Sequence, residues 1–360
     1  MKNTLMKTLV ALICLASIAA PTFAFEGSVP RGLPTLNHVF VILMENHSYS
    51  DIRNNPHAPF INSMANTAGV ASNYVAIGHP SLTNYLEIVG GSNFNVLSDN
   101  SPDWHSTSCV PLTDTGAVCP IDGSGTENSS NTNNISGKSI AEQLESKKLS
   151  WKNYQQSLPL SGANGVNTSD GFYSNLTDTN KRAQIEPLYA VKHNPFAYFK
   201  SGQTSAHLEK TAGFEGEAGL YADLRAGTAA NLSFIVPNQC NDQHGIRGEN
   251  LCGDETALIE RGDQTVARIV TAIKASKTWL QGNNAIILTW DEDDNSANNQ
   301  VLTVVVTNRG DTPSISNVHY NHYSLLKTLE SGFGLPCLNH ACDADVMVMS
   351  DLFILTGHPR

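Results

Sequence analysis

Three apolar stretches of the sequence each end on side chains that can bind a metal ion. These side chains are Glu45 and Asn46 after the first stretch, Asp242 and His244 after the second, and Asp291 and Glu292 after the third. An acidic run after a single strand is usually a solvated turn. Carboxylates brought together from three strands repel one another, and a bound cation relieves that repulsion. The pattern therefore predicts a divalent metal site.

The sequence also offers a nucleophile. Ser81 lies in GHPSLTNYL, where Leu82, Tyr85 and Leu86 have the spacing of one helix face. A helix N-terminus presents N–H groups and the positive end of the helix dipole, which favour a phosphate group. A metal ion beside the hydroxyl would lower its pKa and make an alkoxide available. The alternative role for Ser81 is an ordinary helix cap.

The elements that must position these residues are short apolar strands and amphipathic helices. Strands are predicted at residues 38–44, 231–237, 284–290 and 301–307, and helices at 139–148, 263–280 and 322–331. This alternation predicts an α/β sandwich with a largely parallel sheet, whose strands have their carboxyl ends at one edge. His322 follows the strand at 301–307, the next strand after the acidic run, so its placement matches a site at the same edge. Residues 161–219 are irregular and are predicted to form a small cap.

The first 24 residues have the features of a signal peptide. Lys2 and Lys7 flank the start of an apolar stretch, and Ala24 ends a small-residue cleavage motif. We therefore expect a secreted or periplasmic protein with a single catalytic domain over residues 25–360 and no stable membrane insertion. The formal net charge of −11 argues against nucleic acid as a partner. A phosphate ester is not excluded, because a metal ion supplies local positive charge.

Six cysteines follow the predicted signal peptide, an even number that suits an oxidising compartment. The simplest pairing is local, joining Cys109 to Cys119, Cys240 to Cys252 and Cys337 to Cys342. Zinc binding by these thiols is the competing hypothesis, but none of the spacings is the C-x-x-C of zinc ribbons.

Five motifs, in order, resemble the bacterial phosphoesterase family that includes secreted phospholipases C and acid phosphatases. The motifs are HVFVILMENHSYSDI, HPSLTNYL, PNQCNDQHG, TWDEDDN and NHYSLLKTLE. This family is a branch of the alkaline phosphatase-like superfamily. The resemblance implies a three-layer sandwich, in which helices cover both faces of a mostly parallel central sheet and a metal ion lies at the carboxyl edge of the strands.

The resemblance also implies roles for single residues. Glu45 and Asn46 match the first metal-site pair, Ser81 the nucleophile, and Asp291 and Glu292 the second acidic pair, with Ser81 also touching the metal. Asp242, His244 and His322 match positions that bind a second ion in two-metal members and contact phosphate in single-metal members. The number of ions stays open. Zinc is the first expectation because it suits histidine and carboxylate ligands, although manganese, magnesium or calcium would also fit.

The predicted reaction is attack by Ser81 on phosphorus, followed by hydrolysis of a phosphoserine intermediate. His244 or His322 would protonate the leaving alcohol, and Asn46, His79 and Asp242 would contact the substrate. Phosphomonoesters and phospholipids both remain candidate substrates. Five aromatic residues within 161–219 would either line an apolar entrance for a lipid or belong to the core, namely Phe172, Tyr173, Phe196, Tyr198 and Phe199.

Three alternatives compete with this hypothesis. A sulfatase would need Pro and Arg after the nucleophile, where this chain has Leu82 to Tyr85. A serine esterase would need the sequence G-x-S-x-G, which HPSLT lacks. A secreted binding protein organised by calcium, or an inactive homologue, would use the acidic run at Asp291 without catalysis.

Overall fold

The computed structural model describes residues 25–100, 102, 110–112, 116–118, 134–158, 161–162, 167–168, 188–246, 252–310 and 313–353. The strands are β1 (His38–Met44), β2 (Gly69–Val75), β3 (Val110–Leu112), β4 (Gly116–Val118), β5 (Trp151–Gln155), β6 (Asn167–Thr168), β7 (Tyr189–Ala190), β8 (Thr211–Ala212), β9 (Leu232–Val236), β10 (Asn284–Trp290), β11 (Gln300–Thr307) and β12 (Ser314–Ser316).

The helices are α1 (Tyr49–Ile52), α2 (Pro59–Ala65), α3 (Ser81–Gly90), α4 (Ile140–Ser146), α5 (Ser205–Leu208), α6 (Leu220–Ala226), α7 (Glu255–Ala275) and α8 (His322–Phe333). Four short 3₁₀ segments join them within the described residues, at Val191–His193, Pro195–Tyr198, Asn339–Cys342 and Ser350–Leu352. No helix among the described residues is both long and apolar enough to cross a membrane.

One sheet of eight strands forms the centre of the protein, in the order β12-β2-β11-β10-β1-β9-β5-β8. Strands β10, β1, β9, β5 and β8 run parallel to one another. Strand β11 is antiparallel to both β10 and β2. The predicted α/β fold with a mostly parallel sheet is therefore confirmed, and one central strand runs against the rest.

Helices cover the sheet in two groups. Helix α7 packs against α2 and α6, whereas α8 packs against α3 and α4. Strands β1, β9 and β10 are buried along nearly their whole length, because Val, Ile, Leu and Phe fill both of their faces. Helices and apolar side chains therefore cover both faces of the sheet. Polar groups of the site can only lie at the edge where the strands end.

Two predicted disulfides form, Cys240–Cys252 and Cys337–Cys342. The third predicted pair, Cys109 with Cys119, lies outside the described residues. So does the predicted signal peptide over residues 1–24.

Helix α7 begins earlier than the sequence predicted. The predicted start was residue 263, but the helix extends from Glu255 to Ala275, and the side chain of Asp254 caps it by accepting from the Ala257 N–H. Leu258 and Ile259 add a further buried turn. The acidic residues around them masked this turn in the hydrophobic pattern.

Candidate active site

The ends of β1, β9 and β10 meet because their parallel register aligns them. Met44 pairs with Trp290, the last residue of β10, and Ile42 pairs with Ile235 of β9. Backbone hydrogen bonds continue this pairing beyond the strands. The Asp291 N–H donates to the Met44 carbonyl at 3.0 Å, and the Glu45 N–H donates to the Asp242 carbonyl at 2.9 Å. The three acidic groups predicted from the sequence therefore lie side by side.

Only the first half of the first and third acidic motifs reaches this cluster. After Glu45, the backbone turns through a left-handed conformation at Asn46, with φ 48°, which asparagine tolerates better than most residues. Ser48 and Asp51 then form a capping box at the start of α1. In the third motif, both Asp293 carboxylate oxygens accept backbone N–H groups of the following loop. These later polar residues build the turns that carry the site.

Ser81 is the first residue of α3, and its hydroxyl lies between two carboxylates. The Ser81 Oγ is 3.2 Å from Glu45 Oε2 and 3.4 Å from Glu292 Oε1. The side chain is buried, and α3 has no side-chain cap. The simple capping role is therefore excluded for Ser81. Its neighbour Asn84 donates to Glu292 Oε2 at 2.9 Å and so orients that carboxylate.

His193 belongs to the cluster, although the sequence did not single it out. Its Nε2 lies 3.2 Å from Glu45 Oε1, and its Nδ1 lies 3.4 Å from Asp242 Oδ2. The ring stacks on Tyr85 with centroids 5.4 Å apart, and the Tyr85 hydroxyl also donates to Glu45 Oε1. The motif AVKHNPF holds the three polar residues Lys192, His193 and Asn194 between apolar residues, and this pattern was the signal that the sequence offered.

The remaining predicted ligands border the same cluster. The His244 N–H donates to Asp242 Oδ1 at 2.7 Å, and its ring is 5.5 Å from that of His193. His79 approaches Glu292 Oε2 with its Nδ1 at 3.1 Å. Asp242 and His244 thus sit on the β9 side, and His79 on the Ser81 side, of the carboxylates.

His322 is held differently from the other histidines. Its Nε2 is 2.6 Å from the Asp291 carbonyl oxygen, and its Nδ1 is 3.0 Å from the Tyr74 hydroxyl. The expectation that β11 leads directly to this edge was wrong, because β11 is antiparallel and ends at the opposite edge. Strand β12, parallel to β2, brings the chain back. Both ring nitrogens of His322 therefore have partners, and one of these partners is the backbone of Asp291.

Burial and mutual repulsion shift the pKa values of the carboxyl groups upward. Burial raises the pKa of Glu45 to about 7, against the opposing charge of Lys192. Burial and the charge of Glu45 raise the pKa of Glu292 to about 9, and those of Asp242 and Asp291 well above their ordinary values. Burial lowers the pKa of His193, which is therefore neutral. Without a cation, the ionised cluster is electrostatically unfavourable.

The donor atoms fit a divalent metal ion. Glu45, His193 and His244 offer ligand atoms that all lie within 4.8 Å of one another. Among the described residues, Asn46 Oδ1 and Asp291 Oδ2 are buried oxygens without a hydrogen-bond donor. Buried polar atoms normally have a partner, and a metal ion provides one for such oxygens. The site is therefore suited to a metal ion, whose identity these contacts leave open.

A model of the Phosphoesterase family matches residues 53–336. This protein belongs to the Phosphoesterase family. The matched range includes Ser81, His193, His244, Asp291 and Glu292 and begins after Glu45 and Asn46.

Two relatives of known activity are similar along most of the chain. A phosphatidylinositol-3-phosphatase of Mycobacterium tuberculosis is 28% identical, covering 93% of this chain and 91% of the relative. An acid phosphatase of Aspergillus fumigatus is 24% identical over 86% of this chain, but the match spans only 58% of the fungal enzyme. With the family, these relatives identify the chain as a hydrolase of phosphoric ester bonds.

The fold agrees with this family. A solved protein of the alkaline phosphatase superfamily from Vibrio parahaemolyticus superimposes with a TM-score of 0.51, covering 89% of this chain and 74% of that one. The two sequences are 12% identical, so the likeness concerns the fold alone.

Proposed function

We propose that this protein is a secreted, metal-dependent phosphatase that hydrolyses phosphomonoesters through a phosphoserine at Ser81. The observation that carries the proposal is the Ser81 hydroxyl, which lies at the start of α3 within 3.4 Å of both Glu45 and Glu292. The catalytic domain comprises residues 25–360, preceded by a signal peptide. The enzyme acts outside the cytoplasm.

Glu45, Asn46, Asp291 and Glu292 would hold the divalent ion, with zinc as the first candidate. When bound, the ion would lower the pKa of the Ser81 hydroxyl and offset negative charge on the phosphate group. The two carboxylates that accept the Ser81 hydrogen bond orient the hydroxyl toward the substrate. The N–H groups at the start of α3 contribute further positive potential for the phosphate oxygens.

Ser81 gives its hydroxyl proton to one of the two carboxylates that it contacts, and its Oγ attacks phosphorus as the bond to the alcohol oxygen breaks. His244, protonated on Nε2 by solvent, supplies a proton to that alcohol oxygen. His322 is fully buried and its Nε2 lies on the Asp291 carbonyl oxygen, so we assign it a positioning role. His244 is only partly buried, and we therefore assign acid catalysis to it. Water then attacks the phosphoserine from the face that the alcohol left. Two in-line displacements retain the configuration at phosphorus.

Hydrolysis of phosphomonoester groups is favoured over phospholipase C-type cleavage of phospholipid diesters for two reasons. The relatives described above are named as phosphatases. In addition, Phe196, Tyr198 and Phe199 are buried in the core and do not line an entrance, while Phe172 and Tyr173 lie outside the described residues. Assays with a chromogenic phosphomonoester and with phosphatidylcholine would distinguish the two substrates. Faster turnover of phosphatidylcholine would contradict this choice.

Replacement of the nucleophile tests the proposal. Ser81→Ala should lower kcat by at least about a thousandfold, which corresponds to about 4 kcal/mol of transition-state stabilisation. Metal content and the far-UV spectrum should stay unchanged.

Ser139→Ala is a matched control, since Ser139 is equally buried and also starts a helix, but its side chain caps α4. That variant should lose about 1 kcal/mol of stability and keep its activity. A kcat of Ser81→Ala within tenfold of wild type would show that Ser81 is not the nucleophile.

A further inference from the structure

Lys192 places a positive charge inside the carboxylate cluster. It lies in the 3₁₀ segment Val191–His193, directly before His193. Its Nζ is 3.1 Å from His244 Nε2 and 3.4 Å from Asp99 Oδ2. The side chain is 18% exposed, so its charge acts with little screening by solvent.

The lysine is charged in this environment. Its side chain pairs with the Asp99 carboxylate, whose Oδ2 lies 3.4 Å from Lys192 Nζ, and this contact favours the ammonium form. An ammonium group with three donors beside a nucleophile suits a phosphate oxygen.

The contact of His244 with the Gly245 carbonyl oxygen fixes the tautomer of its ring. The ring nitrogen Nδ1 lies 2.8 Å from the Gly245 carbonyl oxygen, which can only accept, so Nδ1 carries the proton. Nε2 therefore offers its lone pair to the Lys192 ammonium group. A metal ion bound through Nε2 would need the same lone pair. At His244, Lys192 and a second ion exclude each other.

Asp99 links Lys192 to the phosphate-binding end of α3. Its Oδ2 contacts Lys192, whereas its Oδ1 accepts from the Leu82 N–H at 3.1 Å. Leu82 directly follows Ser81. The Asp99 carboxylate therefore accepts from two donors near the nucleophile, the Lys192 ammonium group and the Leu82 N–H. A phosphate group presents the same kind of anionic oxygens to these donors.

We propose that Lys192 and the Leu82 N–H bind the phosphate group of the substrate in place of Asp99, and that Lys192 takes the position of a second metal ion at His244. The inference rests on the proposed function and adds the residue that binds the phosphate. The resting protein keeps the lysine oriented through Asp99. When Lys192 turns to phosphate, the Nε2 of His244 can take up a proton from solvent and give it to the leaving alcohol.

Binding of inorganic phosphate to the metal-loaded protein, measured by calorimetry, tests this assignment. Lys192→Met should raise the Kd by at least about tenfold, whereas Lys192→Arg, which keeps the charge, should stay within about fivefold. Asp99→Asn should lower the Kd, because it removes the competing carboxylate. Lys152→Met is the matched control, since Lys152 also pairs with an aspartate and is 20% exposed, but lies away from the site. Its phosphate affinity should match wild type.

Two additional measurements keep the test decisive. Lys192→Met leaves the Asp99 carboxylate without its cation, which could lower stability. The double variant Lys192→Met with Asp99→Asn removes both charges and so separates loss of the lysine charge from loss of stability. The melting temperature of the double variant is compared with that of wild type. Zinc titration of the metal-free wild type should show one ion per chain. An unchanged phosphate Kd in both Lys192→Met variants, or two zinc ions in wild type with one lost in His244→Ala, would overturn the assignment.

The proposed function can fail independently. If wild type forms phosphoserine at Ser81 but the phosphate Kd does not change when Lys192 is replaced, the assignment of Lys192 is wrong and Ser81 remains the nucleophile. If no phosphoserine forms in wild type, the proposed function itself falls.

Discussion

Glu45 and Glu330 are both fully buried glutamates, yet their surroundings differ in kind. Glu330 lies inside α8, where its Oε1 accepts the Leu338 N–H at 2.8 Å. Burial raises its pKa well above the ordinary value, and a proton is enough to satisfy it. Glu45 contacts Ser81, Tyr85 and His193 at the edge of the sheet, and its charge acts on the neighbouring carboxyl groups.

This difference shows that a cluster of several carboxyl groups indicates the candidate active site better than the burial of a single carboxyl group does. A single buried carboxyl group joins two segments and becomes neutral. Several carboxyl groups held against one hydroxyl by a parallel sheet cannot all be satisfied by their mutual hydrogen bonds. In the proposed mechanism, a divalent cation resolves that conflict and activates the hydroxyl.

The largest expected effect separates these two glutamates. Glu45→Gln should lower kcat/KM for a chromogenic phosphomonoester by about a thousandfold or more, or about 4 kcal/mol, because it removes a metal ligand and a partner of Ser81. Glu330→Gln keeps an acceptor for the Leu338 N–H and should leave kcat/KM within about twofold of wild type. A chelator should abolish wild-type activity, and a divalent ion should restore it. Equal losses in both variants would contradict the distinction.

A smaller effect is expected for His193, which reaches the cluster from outside the predicted motifs. His193→Ala should lower zinc affinity and kcat/KM by about 10- to 100-fold, the usual range for groups that position or complete a metal site. His207→Ala is the control, because His207 also contacts a glutamate, Glu145, in another part of the chain. Zinc titration and steady-state kinetics would check both variants. Wild-type zinc affinity in His193→Ala would remove this residue from the site.

The smallest effect on activity is expected at Glu87, a buried carboxyl group in α3 that accepts from the Tyr323 hydroxyl and whose replacement should change stability instead. Burial raises its pKa from 4.5 to about 8. The folded state therefore binds its proton more tightly than the unfolded state, and stability falls as the pH rises from about 4.5 to 8.

Glu87→Gln should reduce that fall. Each unit of pKa difference corresponds to about 1.4 kcal/mol, so the change is at most a few kcal/mol. Urea unfolding at pH 5 and pH 8 measures it, with the exposed Glu209→Gln as control. The same pH dependence in Glu87→Gln and wild type would exclude Glu87 as its source.

Much of the fold follows from apolar patterns. The strands His38–Met44 and Asn284–Trp290 have the predicted bounds, because continuous Val, Ile and Leu make their burial visible in the sequence. Strand Gly69–Val75 was not predicted, since it contains Ser72 and Asn73 and is half exposed near its end. The direction of strand Gln300–Thr307 was also beyond sequence reasoning, because an antiparallel strand inside a parallel sheet has the same apolar pattern.

The site was predictable where its residues follow strands and not where a loop supplies them. Glu45, Asp242 and Asp291 meet because adjacent parallel strands align their ends. His193 and Lys192 come from a segment whose position depends on the packing of Phe196 and Tyr198 in the core. No periodicity encodes such a long-range contact, so the segment was interpreted as a cap.

The most direct test of the central claim is detection of phosphate on Ser81. Metal-loaded enzyme mixed with excess phosphomonoester and quenched in acid should yield, by peptide mass spectrometry, one phosphorylated peptide containing Ser81. Omission of the metal should prevent its formation. Rapid turnover with no phosphate on Ser81 at any quench time, or phosphate found on a histidine, would contradict the account.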